Sequence, residues 1–241
     1  MNLQTEKYYW KKGYKTIVGL DEAGRGSLCG SVTAAAVIIN SKVTAQPSSP
    51  CKRGSEIPAG VYPRERAGAG MTSQNLKIFK EILENTKDSK KLSGRQREKV
   101  FNLAKKSSYI KFVHSSVSAE TIDKINIANA TKKAMKNCLN KILPKHNLKN
   151  ILILVDGNRI INKNIKIKQI AIVKGDDKIF SIALASIVAK VTRDRKMKKL
   201  SLQYPKYYFH QHKGYGTKLH RKLIKKYGPC KIHRRTYKLH R

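Results

Sequence analysis

The stretch Thr16-Ile17-Val18-Gly19-Leu20-Asp21-Glu22-Ala23-Gly24-Arg25-Gly26 runs from an apolar, β-branched segment straight into two carboxylates and then a Gly-Arg-Gly turn. Residues 16–20 have the length and composition of a buried strand, which predicts that Asp21 and Glu22 directly follow a strand end. Outward from it, residues 32–39 form a second such run, 109–117 alternate weakly, and 151–155 and 167–173 are two further apolar runs of strand length. Helical patterns fill the spaces: 76–85, 95–106, a third helix capped by Ser118 or Thr121, 126–143, 178 to about 202, and 219–227. Strands followed by helices and then strands separated by helices predict an α/β fold. It is a five-stranded mixed sheet flanked by helices, with a C-terminal helical region.

The chain has 241 residues, of which 40% are hydrophobic, so it can bury a real core. Residues 43–72 break the pattern: they turn to Pro, Gly, Ser and Ala and hold four of the seven prolines (Pro47, Pro50, Pro58 and Pro63). They read as a flexible insertion or loop within a single domain spanning 1–241, because what precedes them is too short for a core of its own. Cys29, Cys51, Cys138 and Cys230 lie far apart, with no C-x-x-C pair and no metal-ligand spacing to His, so neither a zinc site nor a disulfide framework is indicated. The longest nearly apolar stretches, 32–39 and 179–189, are too short to cross a bilayer, and a soluble, cytoplasmic protein is expected.

With 52 Lys and Arg against 15 Asp and Glu, the formal net charge is +37, which points to a polyanionic partner. Nucleic acid is the first candidate and an anionic membrane surface the second. In so basic a chain, a carboxylate near the ligand needs a reason, and a bridging cation supplies one. Asp21 and Glu22 follow the first strand, Asp156 ends the fourth, and Asp176 follows the fifth. Hard oxygen ligands converging at strand ends suit Mg²⁺ or Mn²⁺, with phosphates completing the coordination. Each Asp alone is more often a turn former or helix cap. Taken together they favour a two-metal phosphodiesterase over a glycoside hydrolase, since nothing else suggests a sugar site. Asp194 competes as a fourth ligand, but it lies 18 residues beyond Asp176, about 27 Å along an unbroken helix. It is therefore expected to pair with Lys190 or Lys198.

The chain resembles ribonuclease HII. The resemblance is carried, in order, by Gly19 to Gly26, Asp88-Ser89-Lys90-Lys91-Leu92-Ser93, Ile125-Asn126-Ile127, Val155-Asp156-Gly157 and Lys174-Gly175-Asp176. It continues through Ser186 to Asp194, His212-Lys213-Gly214-Tyr215-Gly216-Thr217 and His233-Arg234-Arg235-Thr236-Tyr237. It implies a ribonuclease H-like fold and cleavage 5′ to a ribonucleotide, in RNA/DNA hybrids and in DNA duplexes with embedded ribonucleotides, leaving 3′-OH and 5′-phosphate ends. By position, it also implies that Asp21, Glu22, Asp156 and Asp176 are the catalytic carboxylates holding two Mg²⁺ or Mn²⁺ ions. Asp21 and Asp156 would bridge or flank both ions.

The family's Gly-Arg-Gly element falls on Gly24, Arg25 and Gly26, where backbone groups could read a 2′-OH that DNA lacks. Its tyrosine falls on Tyr215, placed to stack on a neighbouring sugar. Lys90 and Lys213 are the favoured phosphate contacts among the cations Lys91, Lys174, Lys190, Arg234 and Arg235; His212, His220 and His233 could be phosphate contacts or packed imidazoles.

Ser27, Cys29 and Ser31 replace the family's usual Pro, Ala and Pro, which predicts a looser turn after Gly26, and residues 43–72 are longer than usual. Ribonuclease HIII would carry an extra N-terminal domain and Lys at position 25. A monomer acting in DNA replication and repair is expected, and no residue argues for a sliding clamp or polymerase. The rivals are another nuclease of the same fold and a non-catalytic basic RNA-binding protein. The first would lack Gly24 to Gly26 and Tyr215, and the second leaves the four carboxylates unexplained.

Overall fold

A computed structural model of the chain describes residues 1–44, 73–86, 92–144 and 148–239; residues 45–72 of the expected insertion, and Lys90 and Lys91, lie outside the described residues. In chain order the elements are α1 (Gln4–Lys11), β1 (Thr16–Ala23), β2 (Val32–Ile39), α2 (Ser73–Asn85), α3 (Gly94–Lys106), β3 (Ile110–Val117) and α4 (Ala119–Ile142). Then come β4 (Ile151–Asp156), β5 (Lys168–Ile172), α5 (Gly175–Lys178), α6 (Phe180–Gln203), α7 (Phe209–His212) and α8 (Lys218–Tyr227). The five strands form one mixed sheet in the order β3-β2-β1-β4-β5. β1 sits at its centre, antiparallel to β2 and parallel to β4.

Both faces of the sheet are covered, and the two-residue period of the strands sorts side chains between them. Val32, Ala34 and Ala36 of β2, with Val18 and Leu20 of β1, pack towards α4. Ala35, Val37 and Ile39 pack towards α2, α3 and α6. The N-terminal half of α6 is buried almost all round, and Phe180, Ile182, Leu184, Ile187 and Val188 are all under 2% exposed. Each such side chain contributes roughly 1.5–3 kcal/mol of burial. Close approach of α6 to β1 requires Gly19, because a Cβ there would lie 2.3 Å from the Ser181 carbonyl carbon.

Three differences from the sequence reading have local causes. Strand β1 runs to Ala23, so Asp21 and Glu22 lie within it: pairing with β4 stops at Leu20–Val155, but pairing with β2 continues to Ala23–Thr33. The two helices expected after β3 form one element broken only at Asn126, whose backbone has φ 61°, ψ 165°. Ser118 caps its first half by accepting from the Thr121 amide, and Asn126 Oδ1 caps the second by accepting from the Asn129 amide. Helix α1 was not foreseen, because its segment is polar. It is anchored by the buried Glu6, whose carboxylate accepts the Ser181 amide at 2.8 Å.

Candidate active site

Parity along the strands decides how the carboxylates meet. Val18 and Leu20 face α4, so Asp21 lies on the opposite face, towards α6, where it accepts a hydrogen bond from Ser186. Ile153 and Val155 also face α4 whereas Leu152 and Leu154 face α6, which puts Asp156 on the α6 face as well. Asp21 and Asp156 directly follow the last β1–β4 pair, Leu20–Val155, so they are neighbours across adjacent strands. Glu22 turns to the α4 side, into a cleft of about 340 Å³ that Asp156, Arg25, Lys132 and Arg159 also line.

The Asp156 carboxylate accepts the Gly175 amide at 2.7 Å and the Asp176 amide at 3.4 Å, which ties the loop after β5 to the end of β4. Asp176 is itself buried in the short helix α5. Asp21 is 5% exposed. Burial, and then the neighbouring charges of Glu22 and Asp156, hold its carboxyl well above the usual carboxylate range. Glu22 is raised chiefly by burial, against the pull of Arg25, whose guanidinium reaches Glu22 Oε1 at 3.3 Å. Crowded, desolvated carboxylates are a donor set that fits hard divalent ions.

Asp194 takes the role expected of it, accepting from Lys190 Nζ at 3.0 Å.

Arg25 and Gly26 are exposed, while Gly24 and residues 27–31 behind them are buried. The loop is held at three points: Leu28 N donates to Gly214 O at 2.8 Å, Gly30 N to Ile232 O at 2.8 Å, and Arg234 N to Leu28 O at 2.9 Å. The looser turn expected from Ser27, Cys29 and Ser31 is therefore not observed. Ser27 pairs with Tyr215 in an isolated bridge, and Cys29 with His233. Tyr215 is half-buried, with Lys190 Nζ 4.8 Å and Arg193 Cζ 5.2 Å from its ring centroid. It borders a second groove, of about 560 Å³, with Arg95, Arg97, Lys190, Lys198 and Lys213. Lys213 Nζ donates to the His210 carbonyl. Arg234 is 0% exposed, so it is no phosphate contact. The Arg235 amide, with that of Thr236, is bound by Asp123 of α4.

The three histidines are packed imidazoles. His212 donates through Nε2 to the Tyr207 carbonyl at 2.9 Å and accepts the Gly214 amide at Nδ1, and the other two form a directed chain: the Cys230 amide donates to His233 Nδ1 at 2.9 Å, His233 Nε2 meets His220 Nε2 at 3.1 Å, and His220 Nδ1 donates to the Tyr215 carbonyl at 2.9 Å. Cys29 joins His220 and His233, with ligand atoms within 4.8 Å of one another, a grouping that sequence spacing hid. The rings are already committed to hydrogen bonds, and burial pushes the Cys29 thiol up to about 12, so the cluster reads as a neutral support beneath Tyr215 rather than a metal centre.

A family model described as Ribonuclease HII matches residues 66–240. The curated ribonuclease HII of Caldicellulosiruptor saccharolyticus is 41% identical over 236 residues, covering 97% of this chain and 92% of that one. The chain belongs to the ribonuclease HII family. The ribonuclease HII of Alkaliphilus metalliredigens is 40% identical over 237 residues, covering 98% and 96%.

Among solved structures, the ribonuclease HII of Archaeoglobus fulgidus, in a complex with PCNA, matches with a TM-score of 0.64 at 20% identity, covering 94% of this chain and 96% of that one. Bst-RNase HIII in complex with Mn²⁺ matches at 0.56 and 14%, covering 91% and 65%. These distant likenesses speak for the fold alone: the ribonuclease H fold, with the five-stranded mixed sheet expected from the sequence. As a member of this family, the chain is an endoribonuclease of the ribonuclease H fold. Among the described residues no helix is long and apolar enough to cross a membrane.

Proposed function

We propose that this ribonuclease HII cuts the phosphodiester bond 5′ to a ribonucleotide, in hybrids and in DNA duplexes with embedded ribonucleotides, leaving 3′-OH and 5′-phosphate ends. The observation that carries the reading is the meeting of Asp21, Glu22 and Asp156 at one sheet edge, beside an exposed Arg25-Gly26 backbone, in a chain of charge +37.

Asp21 and Asp156 would hold two Mg²⁺ or Mn²⁺ ions between them, with Glu22 and Asp176 completing one shell each. Bound there, the ions would lower the pKa of an attacking water and offset charge on the leaving 3′ oxygen. Ser186 and the Glu22 amide orient the Asp21 carboxylate, and the Gly175 amide orients Asp156, so the donors are set before substrate arrives. The exposed backbone at Arg25 and Gly26 meets the 2′-OH, Tyr215 stacks on the neighbouring sugar, and Lys213 and Lys90 hold phosphates.

The role that follows is ribonucleotide removal in DNA replication and repair, by a cytoplasmic monomer. The archaeal neighbour was solved with PCNA, but no described residue here argues for a clamp contact, and the reading needs none.

The test is gel-resolved cleavage of a labelled DNA duplex carrying one ribonucleotide, beside its all-DNA counterpart, in Mg²⁺, Mn²⁺ and EDTA. One metal-dependent cut on the 5′ side of the ribonucleotide is expected. Equal cleavage of both duplexes, or none, overturns the reading.

A further inference from the structure

Behind the Gly24–Ser31 loop lie two arginines that the chemistry above does not use. Arg193 of α6 and Arg234 are both 0% exposed, the two largest fully buried side chains among the described residues. Neither forms an ion pair with a carboxylate among those residues. Their partners are carbonyls of one loop. Arg193 Nε donates to Ser31 O at 3.1 Å and its Nη2 to Cys29 O at 3.3 Å. Arg234 donates through Nε to Gly30 O at 3.1 Å, through Nη1 to Arg25 O at 2.7 Å, and through Nη2 to Gly24 O at 2.6 Å. The Tyr237 hydroxyl adds a second donor to Arg25 O at 2.8 Å.

Two cations buried without a carboxylate, on loop carbonyls, the Tyr237 hydroxyl and the rings of Tyr215 and Tyr237, with Arg193 Nη1 lacking an acceptor among the described residues, are an expensive way to fill space. Apolar side chains of the same volume would fill the space but leave the carbonyls of the loop without these donors, so the arrangement answers to the loop backbone and not to packing alone.

What it does is fix the direction of peptide planes. In a trans peptide the carbonyl and the following N–H point opposite ways, and the chain has no cis peptide bonds among the described residues. Drawing Gly24 O inward turns the Arg25 amide outward, and drawing Arg25 O inward turns the Gly26 amide outward. Neither amide has an acceptor among the described residues. Gly24 completes the fit: its φ is +93°, and a Cβ there would lie 2.1 Å from Arg193 Nε.

We propose that Arg234 is a positioning residue for ribonucleotide selection, holding the Arg25 and Gly26 amides aimed at the 2′-hydroxyl, and that Arg193, packed beneath Gly24 and bonded to Cys29 O and Ser31 O, braces the same loop. This deepens the reading given under Proposed function and rests on it. The guanidinium forks matter as well as the charge, because Lys would keep the charge but reach one carbonyl where Arg spans two or three.

The test uses the full chain with Arg193→Lys and Arg234→Lys, each first shown folded by circular dichroism and melting. Anisotropy in EDTA gives affinity for the all-DNA duplex, and steady-state cleavage of the single-ribonucleotide duplex gives kcat and KM. The expected result is DNA affinity within about twofold of wild type and kcat at the ribonucleotide reduced about tenfold or more, the worth of one misaimed hydrogen bond. Cleavage within about twofold of wild type in both variants overturns the proposal, as does a loss carried wholly by DNA affinity and KM.

Should a variant not fold, wild-type NMR still decides. Arg193 and Arg234 Nε–H signals protected from exchange, with Arg25 and Gly26 amide shifts that move more on the ribonucleotide duplex than on DNA, support the proposal. Amide shifts that move equally on both overturn it. A wild-type protein that does not cut at the ribonucleotide overturns the underlying reading instead, whatever the variants do.

Discussion

Replacing Asp21 with Asn should abolish cleavage and stabilise the metal-free protein at the same time. Neighbouring strands lie about 4.8 Å apart, so Asp21 and Asp156, one step past the Leu20–Val155 pair, have carboxylates roughly 5 Å apart. At an effective dielectric constant of about 20, two full charges at that distance repel by ~3 kcal/mol. Proton sharing within the cluster and the partial exposure of Glu22 and Asp156 reduce this to about 1–2 kcal/mol, a rise in Tm of roughly 2–8 °C for a chain of this size.

Asparagine keeps an oxygen to accept from Ser186 and the Glu22 amide, so little is lost in exchange. The gain also depends on pH. Because the folded-state pKa of Asp21 is raised, the native protein holds a proton that the unfolded chain releases near pH 4. Wild-type stability from this group therefore falls as pH rises from about 4 through the raised value, and the advantage of Asn grows over the same window. Mn²⁺ should reverse the order, since an ion that binds only the native wild-type site adds about 2.7 kcal/mol at a hundredfold excess over its Kd. Differential scanning calorimetry in EDTA and in Mn²⁺ measures both effects. An Asn variant that melts at or below wild type in EDTA, and gains as much from Mn²⁺, would refute the crowded-carboxylate argument.

Three further outcomes are expected. Gly19→Ala sets a Cβ against the Ser181 backbone at 2.3 Å, which should cost about 1–3 kcal/mol or more and lower Tm accordingly; an unchanged Tm would mean that α6 moves freely on β1. Burial lowers His220 to about 3 and His233 to about 4. Stability from this pair is present above the unfolded value of about 6.5 and is lost as pH falls towards 4, by up to roughly 1.4 kcal/mol per unit for each ring. Urea unfolding from pH 7 to 4 reads the slope, and His233→Asn should flatten it. Finally, the eight cations of the carboxylate cleft and of the groove beside Tyr215 should give log K against log salt a slope of about −4 to −7 for duplex binding. A slope near zero would show that these side chains face away from the substrate.

The sequence by itself carried the strand count, the mixed sheet and the order of the carboxylates, because two-residue periodicity and strand-end acidic residues are local signals. Residues 32–39 coincide with β2, and Asp156 ends β4 as expected. The basic charge and the motif series from Gly19 to Tyr237 point to the family without any tertiary information.

Tertiary structure decided the rest. That Asp21 and Asp156 share the α6 face follows from register between strands well over a hundred residues apart in the chain. That Arg234 lies buried beneath Gly24, 210 residues away, instead of on a phosphate is invisible in a run such as His233-Arg234-Arg235. An arginine's local signal is the same whether water or a carbonyl receives it. Only the folded chain, by closing the loop of Gly24–Ser31 over two guanidiniums, fixes which cations face solvent and which hold backbone carbonyls.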